Sequence, residues 1–85
     1  MAIVFDAAKD AANFLKHGVS LARAADIEVA ARVLDDRFSE ARYRAYGLID
    51  GVAYCLAYTL RDGDLRAIGL RRAHAKEIRH YVQTP

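Results

Sequence analysis

The chain predicts an α+β fold with helices packed on one sheet, and three observations carry that expectation. An alanine-rich segment near the start is bounded by helix-capping residues. Two Asp-Gly pairs in the second half each separate runs of alternating side chains. A short amphipathic segment then closes the sequence. At 85 residues this is one domain, 1–85, without internal repeats, low-complexity segments or linkers. A chain of this size buries roughly 60–70% of the surface its unfolded form exposes. The apolar fraction is 54%, but much of it is alanine, so the core is thin and a partner covering apolar surface would add stability.

Ala2 to Phe5 is a short apolar run suited to an edge strand. Asp6 is a good N-cap for a helix over Ala7 to His17, and Gly18 suits the position just past its end. Lys16 and His17 fall in the last turn, where cations suit the helix dipole. Ala8, Ala11, Ala12 and Leu15 form the expected apolar stripe, while Lys9, Asn13, Lys16 and His17 share a polar face. Ser20 is the next N-cap. Beyond it, LARAADIEVAARVL reads either as one long amphipathic helix or as a short helix to about Asp26 and a strand from about Val29 to Leu34. Periodicity mildly favours the long helix.

From Arg42 the signal is β. Arg42, Arg44, Tyr46 and Leu48 alternate with Tyr43, Ala45, Gly47 and Ile49. Asp50-Gly51 is a two-residue hairpin turn, Val52 to Leu60 alternates large with small residues, and Asp62-Gly63 is a second turn before a strand from Asp64 to about Arg71. Three sequential antiparallel strands follow. The small face of the middle one, Ala53, Cys55, Ala57 and Thr59, would let a helix pack close. Ala73 to Val82 is the last helix, with Ile78, Tyr81 and Val82 as its apolar edge.

Charge is unevenly distributed. From Arg61 onward there are six basic and three acidic groups; residues 1–60 hold seven basic and eight acidic. Such polarity points to a polyanionic partner, phosphate first. The single cysteine, Cys55, excludes a disulfide framework and a cysteine zinc site, suits a reducing cytoplasm, and reads as a buried small hydrophobe. No apolar run reaches the roughly 20 residues of a membrane span. Asp6 and Asp10 interrupt the start where an export signal would stay apolar.

The order Phe5-Asp6, Lys9, Asn13, Lys16-His17-Gly18-Val19-Ser20 resembles the N-terminal signature of the BrnT family, toxins of type II toxin–antitoxin systems with a RelE-like ribonuclease fold. The likeness continues through Arg42, Gly47, Asp50-Gly51, Tyr58-Thr59, Arg61, Arg66-Ala67-Ile68, Arg71, Ala73, Glu77 and Tyr81. It implies two N-terminal helices, an antiparallel meander of about four strands and a C-terminal helix, and so favours the split into a short helix and a strand after Ser20. It further implies a cytoplasmic, metal-independent endoribonuclease that needs no cofactor and inhibits translation by cutting RNA. Its partner would be a BrnA-like antitoxin with a ribbon-helix-helix region, through which alone the complex binds operator DNA. The chain departs from the family in two places. It lacks the tryptophan common near Phe5-Asp6, and the family's Ser-x-Arg at the end of the last strand reads Gly69-Leu70-Arg71. The missing hydroxyl motivates an alternative, an attenuated or non-catalytic toxin fold that still binds its antitoxin. A plain RNA- or DNA-binding domain is a third.

Cleaving RNA through its own 2′-OH needs a proton acceptor, positive charge for the phosphorane, and a proton donor for the leaving oxygen. Arginine stays protonated and serves as an electrostatic clamp; histidine can exchange protons. On this chemistry and the resemblance, the catalytic candidates are Lys16, His17, Arg61, Arg71 and Glu77. The RNA-binding candidates are Lys9, Asn13, Arg66, His74 and Tyr81. Each has a plainer reading: Lys16-His17-Gly18 as a well-capped helix end, Glu77 as the partner of a nearby arginine, Tyr81 as a core aromatic, and Arg72, Lys76 and Arg79 as solvated charge. The histidines have no metal-ligand spacing. Strict alternation sets Arg66 and Arg71 on opposite faces, so their convergence predicts a strand end or bulge around Gly69.

Overall fold

Two tight turns organise the sheet. Asp50 and Gly51 (φ 51° and 77°) and Asp62 and Gly63 (φ 55° and 82°) all adopt positive φ, the type I′ geometry that matches strand twist. The computed structural model describes residues 2–82, in the order β1 (Ile3–Val4), α1 (Ala7–His17), a 3-10 helix (Leu21–Asp26), β2 (Glu28–Asp35), β3 (Arg42–Ile49), β4 (Val52–Arg61), β5 (Asp64–Arg72), and a C-terminal helix whose one α turn (Ala75–Glu77) runs into a π turn (Ile78–Val82). The sheet order is β1-β5-β4-β3-β2. Strands β2 to β5 form the expected meander, and β1 adds a fifth strand parallel to β5.

The fold is therefore α+β, with three corrections. The sheet is mixed and five-stranded, because Ala2 to Val4 occupies the outer edge of β5, where Leu65 N–H donates to the Ala2 carbonyl (2.9 Å). The second helix is 3-10 rather than α. Arg23 N–H reaches Ser20 and Ile27 N–H reaches Ala24, each three residues back, before Ile27 turns extended (ψ 126°). The split after Ser20 thus holds over the long helix that periodicity favoured. The last helix starts at Ala75, not Ala73, because Ala73 N–H donates to the Ala53 carbonyl (3.0 Å) and His74 stays extended (ψ 155°).

One sheet face holds the core. Ala45, Ile49, Leu56, Tyr58, Leu65, Ala67 and Leu70 pack against Leu21 and Ala24 of the 3-10 helix, with Ile3, Phe5, Val19 and Ile27 around them. Full burial of Leu21, Leu56 and Leu70 contributes about 1.5–3 kcal/mol each. Gly47 is required where β2 bulges between Val29 and Ala31, since a Cβ there would overlap the Glu28 carbonyl oxygen and press on Val29 Cα (2.9 Å).

Helix α1 spans the predicted residues, capped by Asp6, which accepts from Lys9 N–H (3.1 Å), and by Gly18 (φ 73°). Its orientation reverses the expected one. The stripe Ala8, Ala11, Ala12 and Leu15 is exposed, and Asn13 is the buried residue. The Asn13 amide accepts from Leu70 N–H (3.0 Å) and donates to the Leu70 and Val19 carbonyls (both 2.9 Å). It pairs the edge of β5 past the end of β1, supplying hydrogen bonds that a sixth strand would otherwise make. Asp10 fixes the following turn by accepting from the Ser20 hydroxyl and Leu21 N–H (2.9 and 2.7 Å).

Candidate active site

The second sheet face is covered at one end by the C-terminal helix and open at the other. Its geometry follows from register. Across β3, β4 and β5, Tyr46, Cys55 and Arg71 form one row, and Arg44, Ala57 and Gly69 the next. The pairing of β4 with β5 shifts between Ala57 and Tyr58, where Ile68 is the extra residue. Arg66, opposite Thr59, and Arg71, opposite Cys55, therefore share this face; of the strand end or bulge expected around Gly69, the structure has the bulge. The small side chains of β4 lie only partly beneath the C-terminal helix. Cys55 and Ala57 instead form the floor of a concavity of about 280 Å³.

Arg37, Arg42, Arg44 and Arg71 line this concavity, with Asp35 as its carboxylate and His17 reaching it from the end of α1. Arg71 is held hardest. Its Nη1 and Nη2 donate to the two Glu77 carboxylate oxygens (2.9 and 3.0 Å). Glu77 also accepts from His74 N–H (2.8 Å) and the Tyr46 hydroxyl (3.0 Å), and that hydroxyl accepts from Arg44 Nη1 (2.9 Å). A hydrogen-bonded chain thus joins Arg44 to Arg71 through Tyr46 and Glu77. Tyr46 is fully buried and stacked on Tyr81 (centroids 4.3 Å apart), so the chain has a rigid anchor. Arg42 lies over the Phe38 ring (4.0 Å). Among the described residues neither Arg42 nor Arg44 forms an ion pair, although the Arg44 charge helps to lower the Asp35 carboxyl and the Arg42 charge that of Glu40.

The titrating groups divide by environment. Arg71, then the His74 N–H and Tyr46 hydroxyl, hold the Glu77 carboxyl at about 2 against the desolvation that opposes them. Arg37 likewise holds Asp35 at about 2. Glu77 and Asp35 are thus ionised, engaged and weakly basic. Burial pushes the Cys55 thiol up and, still more, the Tyr46 phenol, so both stay neutral. Arg71 is raised by its bond to Glu77 and stays charged. Among the described residues no three His, Cys, Asp or Glu side chains gather closely enough to hold a metal ion.

The candidates chosen from the sequence fall in different places. His17 and Arg71 line the concavity, and Glu77 stands behind Arg71. Lys9, Asn13, Lys16 and His17 border a shallower hollow beside Ile68, with the Asn13 amide occupied by Leu70. Arg61 pairs with Glu40 (2.7 Å) outside the concavity. Arg66 shares the face but does not line the concavity, His74 leads into the C-terminal helix, and Tyr81 is stacked on Tyr46. Sequence reasoning missed Arg42, Arg44, Asp35 and the bridging Tyr46. The two-residue turn at Asp50-Gly51 carried the signal, because it sets Arg44 opposite Ala57 and Tyr46 opposite Cys55.

Comparison with known proteins agrees with this architecture. Residues 5–77 match the family model described as "Ribonuclease toxin, BrnT, of type II toxin-antitoxin system". The crystal structure of the Brucella abortus ribonuclease toxin BrnT is similar in fold, with TM-score 0.66 and 23% sequence identity over 87% of this chain and 97% of that one. No curated protein sequence matches the chain significantly. With most of its length matched by the family model, the chain belongs to the BrnT family of type II toxin–antitoxin ribonuclease toxins.

Proposed function

We propose that this protein is a RelE-like endoribonuclease that cuts RNA without a metal cofactor, inhibits translation in the cytoplasm, and is neutralised by a BrnA-like antitoxin. The observation that carries the reading is the chain Arg44–Tyr46–Glu77–Arg71, which fixes two guanidinium groups on one open face. In the transition state the phosphorane gains charge, and prepositioned arginines stabilise that charge more than the ground state. Arg42 adds a third cation in the same concavity. Glu77 acts as a positioning residue, since its carboxylate is occupied by Arg71, His74 and Tyr46. His17 is the imidazole at this concavity and is assigned proton transfer. Operator DNA would be contacted by the antitoxin.

The test is to incubate the purified protein with RNA in EDTA beside an Arg71→Ala variant. Cleavage by the wild type that falls at least about 100-fold in the variant supports the reading. A wild type inert under conditions where a related toxin cuts would sink it. One observation favours a second reading, a toxin fold that binds its antitoxin but cuts weakly. Gly69 lines the concavity where the family pattern has serine. A Cβ at this position would meet only Asn13 Oδ1, at 3.8 Å, so a serine fits. Gain of cleavage by Gly69→Ser would mark the present chain as attenuated.

A further inference from the structure

Helix α1 is packed with its apolar side outward. Asn13 faces the sheet, and Leu15 stands about 160° round the helix from it. Ala7, Ala8, Ala11, Ala12, Phe14 and Leu15 form one exposed face, with Leu15 90% and Phe14 58% accessible. Lys9 and Lys16 lie along one border of that face, two turns or about 10 Å apart. Neither lysine forms an ion pair among the described residues. The helix does not need this stripe for its own attachment, since Asn13 and Asp10 supply that.

Resting on the toxin–antitoxin reading above, we infer that the outer face of α1 is the docking surface for the antitoxin, through an amphipathic helix bearing carboxylates along one edge. The alanines allow a second helix to approach closely, Phe14 and Leu15 supply the apolar anchors, and the lysine border selects an acidic edge. A second copy of this chain fits less well. Antiparallel pairing about a two-fold axis would bring the two lysine borders together, like charge against like.

The test uses the full chain co-expressed with the small protein encoded beside it. Binding is measured by calorimetry, and RNA cleavage is measured in parallel. Ala11→Arg and Leu15→Glu alter exposed helix positions, and thermal unfolding verifies that each variant is folded. Loss of antitoxin affinity by more than about 10-fold in both, with cleavage kept, is the expected result. Unchanged affinity overturns the inference, as does a wild-type dimer that dissociates on Ala11→Arg, or loss of RNA binding alone. A wild type that binds no such protein overturns the inference and the antitoxin partnership together. Absence of cleavage alongside intact, variant-sensitive binding overturns the nuclease reading and leaves the docking surface standing.

Discussion

Replacing Glu77 by glutamine tests the positioning of Arg71 directly. The Glu77 carboxyl sits at about 2, against 4.5 for the free group, chiefly because of Arg71. At about 1.4 kcal/mol per unit, that difference corresponds to about 3 kcal/mol at neutral pH. Solvent reaching Arg71, which is 28% exposed, reduces the figure to about 2 kcal/mol. For a domain of this size, a loss of that order lowers Tm by about 10 °C. The folded-state value is depressed, so the contribution is complete above about pH 4.5 and is lost as pH falls toward about 2. The stability gap between wild type and Glu77→Gln is therefore widest at pH 7 and shrinks by pH 3, as read from urea unfolding at several pH values. In parallel, RNA cleavage falls at least about 10-fold in the variant, because Arg71 loses its bidentate clamp. A gap of constant size from pH 7 to pH 3 would refute the assignment of this stability to the charged pair.

Three further outcomes are expected. Asn13→Leu leaves both backbone groups of Leu70 without partners and costs about 2–3 kcal/mol in chemical denaturation, although Asn13 lies on the helix side bearing Lys9 and Lys16. Gly47→Ala drives a Cβ into the Glu28 carbonyl and displaces β2, lowering stability by about 1–3 kcal/mol and increasing hydrogen exchange in β2 ahead of β4. Arg44→Ala removes an unpaired cation from the concavity; RNA affinity weakens, and the slope of log affinity against log salt becomes shallower by about 0.7 for each phosphate that is no longer neutralised, with Tm altered by less than in Glu77→Gln.

Local chemistry made much of the fold legible. Capping by Asp6 and Gly18 bounded α1, two Asp-Gly pairs fixed the hairpins, and the parity of Arg66 and Arg71 allowed them to share a face only with a strand end or bulge around Gly69, which the structure supplies as a bulge at Ile68. Pairings with no local signature were not legible. The edge strand β1 could be anticipated as apolar, but nothing near it stated that it would run parallel to a strand sixty residues away. The β2 segment misled periodicity because, as the outer strand beside β3, it stays mostly exposed and does not need strict alternation.

The site illustrates the same division at the level of single residues. Charge by segment favours the C-terminal third for the arginine clamp over residues 1–60, which carry a net negative charge. Yet Arg42 and Arg44 come from that segment and face Arg71 across a strand of small residues. Register, rather than local charge density, decides which arginines meet. The information was present in the Asp50-Gly51 turn, since a two-residue loop leaves one pairing, and that pairing puts Arg44 over Ala57. The reversed helix is different in kind. An amide in the middle of a polar face has two readings, solvated or bonded to a backbone edge, and the α1 sequence is equally compatible with both. Only the unpaired edge of β5 distinguishes them, and that edge exists only once the sheet has formed. The same event that buries Asn13 leaves Leu15 outside. The hydrophobic surface that the helix fails to bury is therefore a direct consequence of how the sheet edge is satisfied.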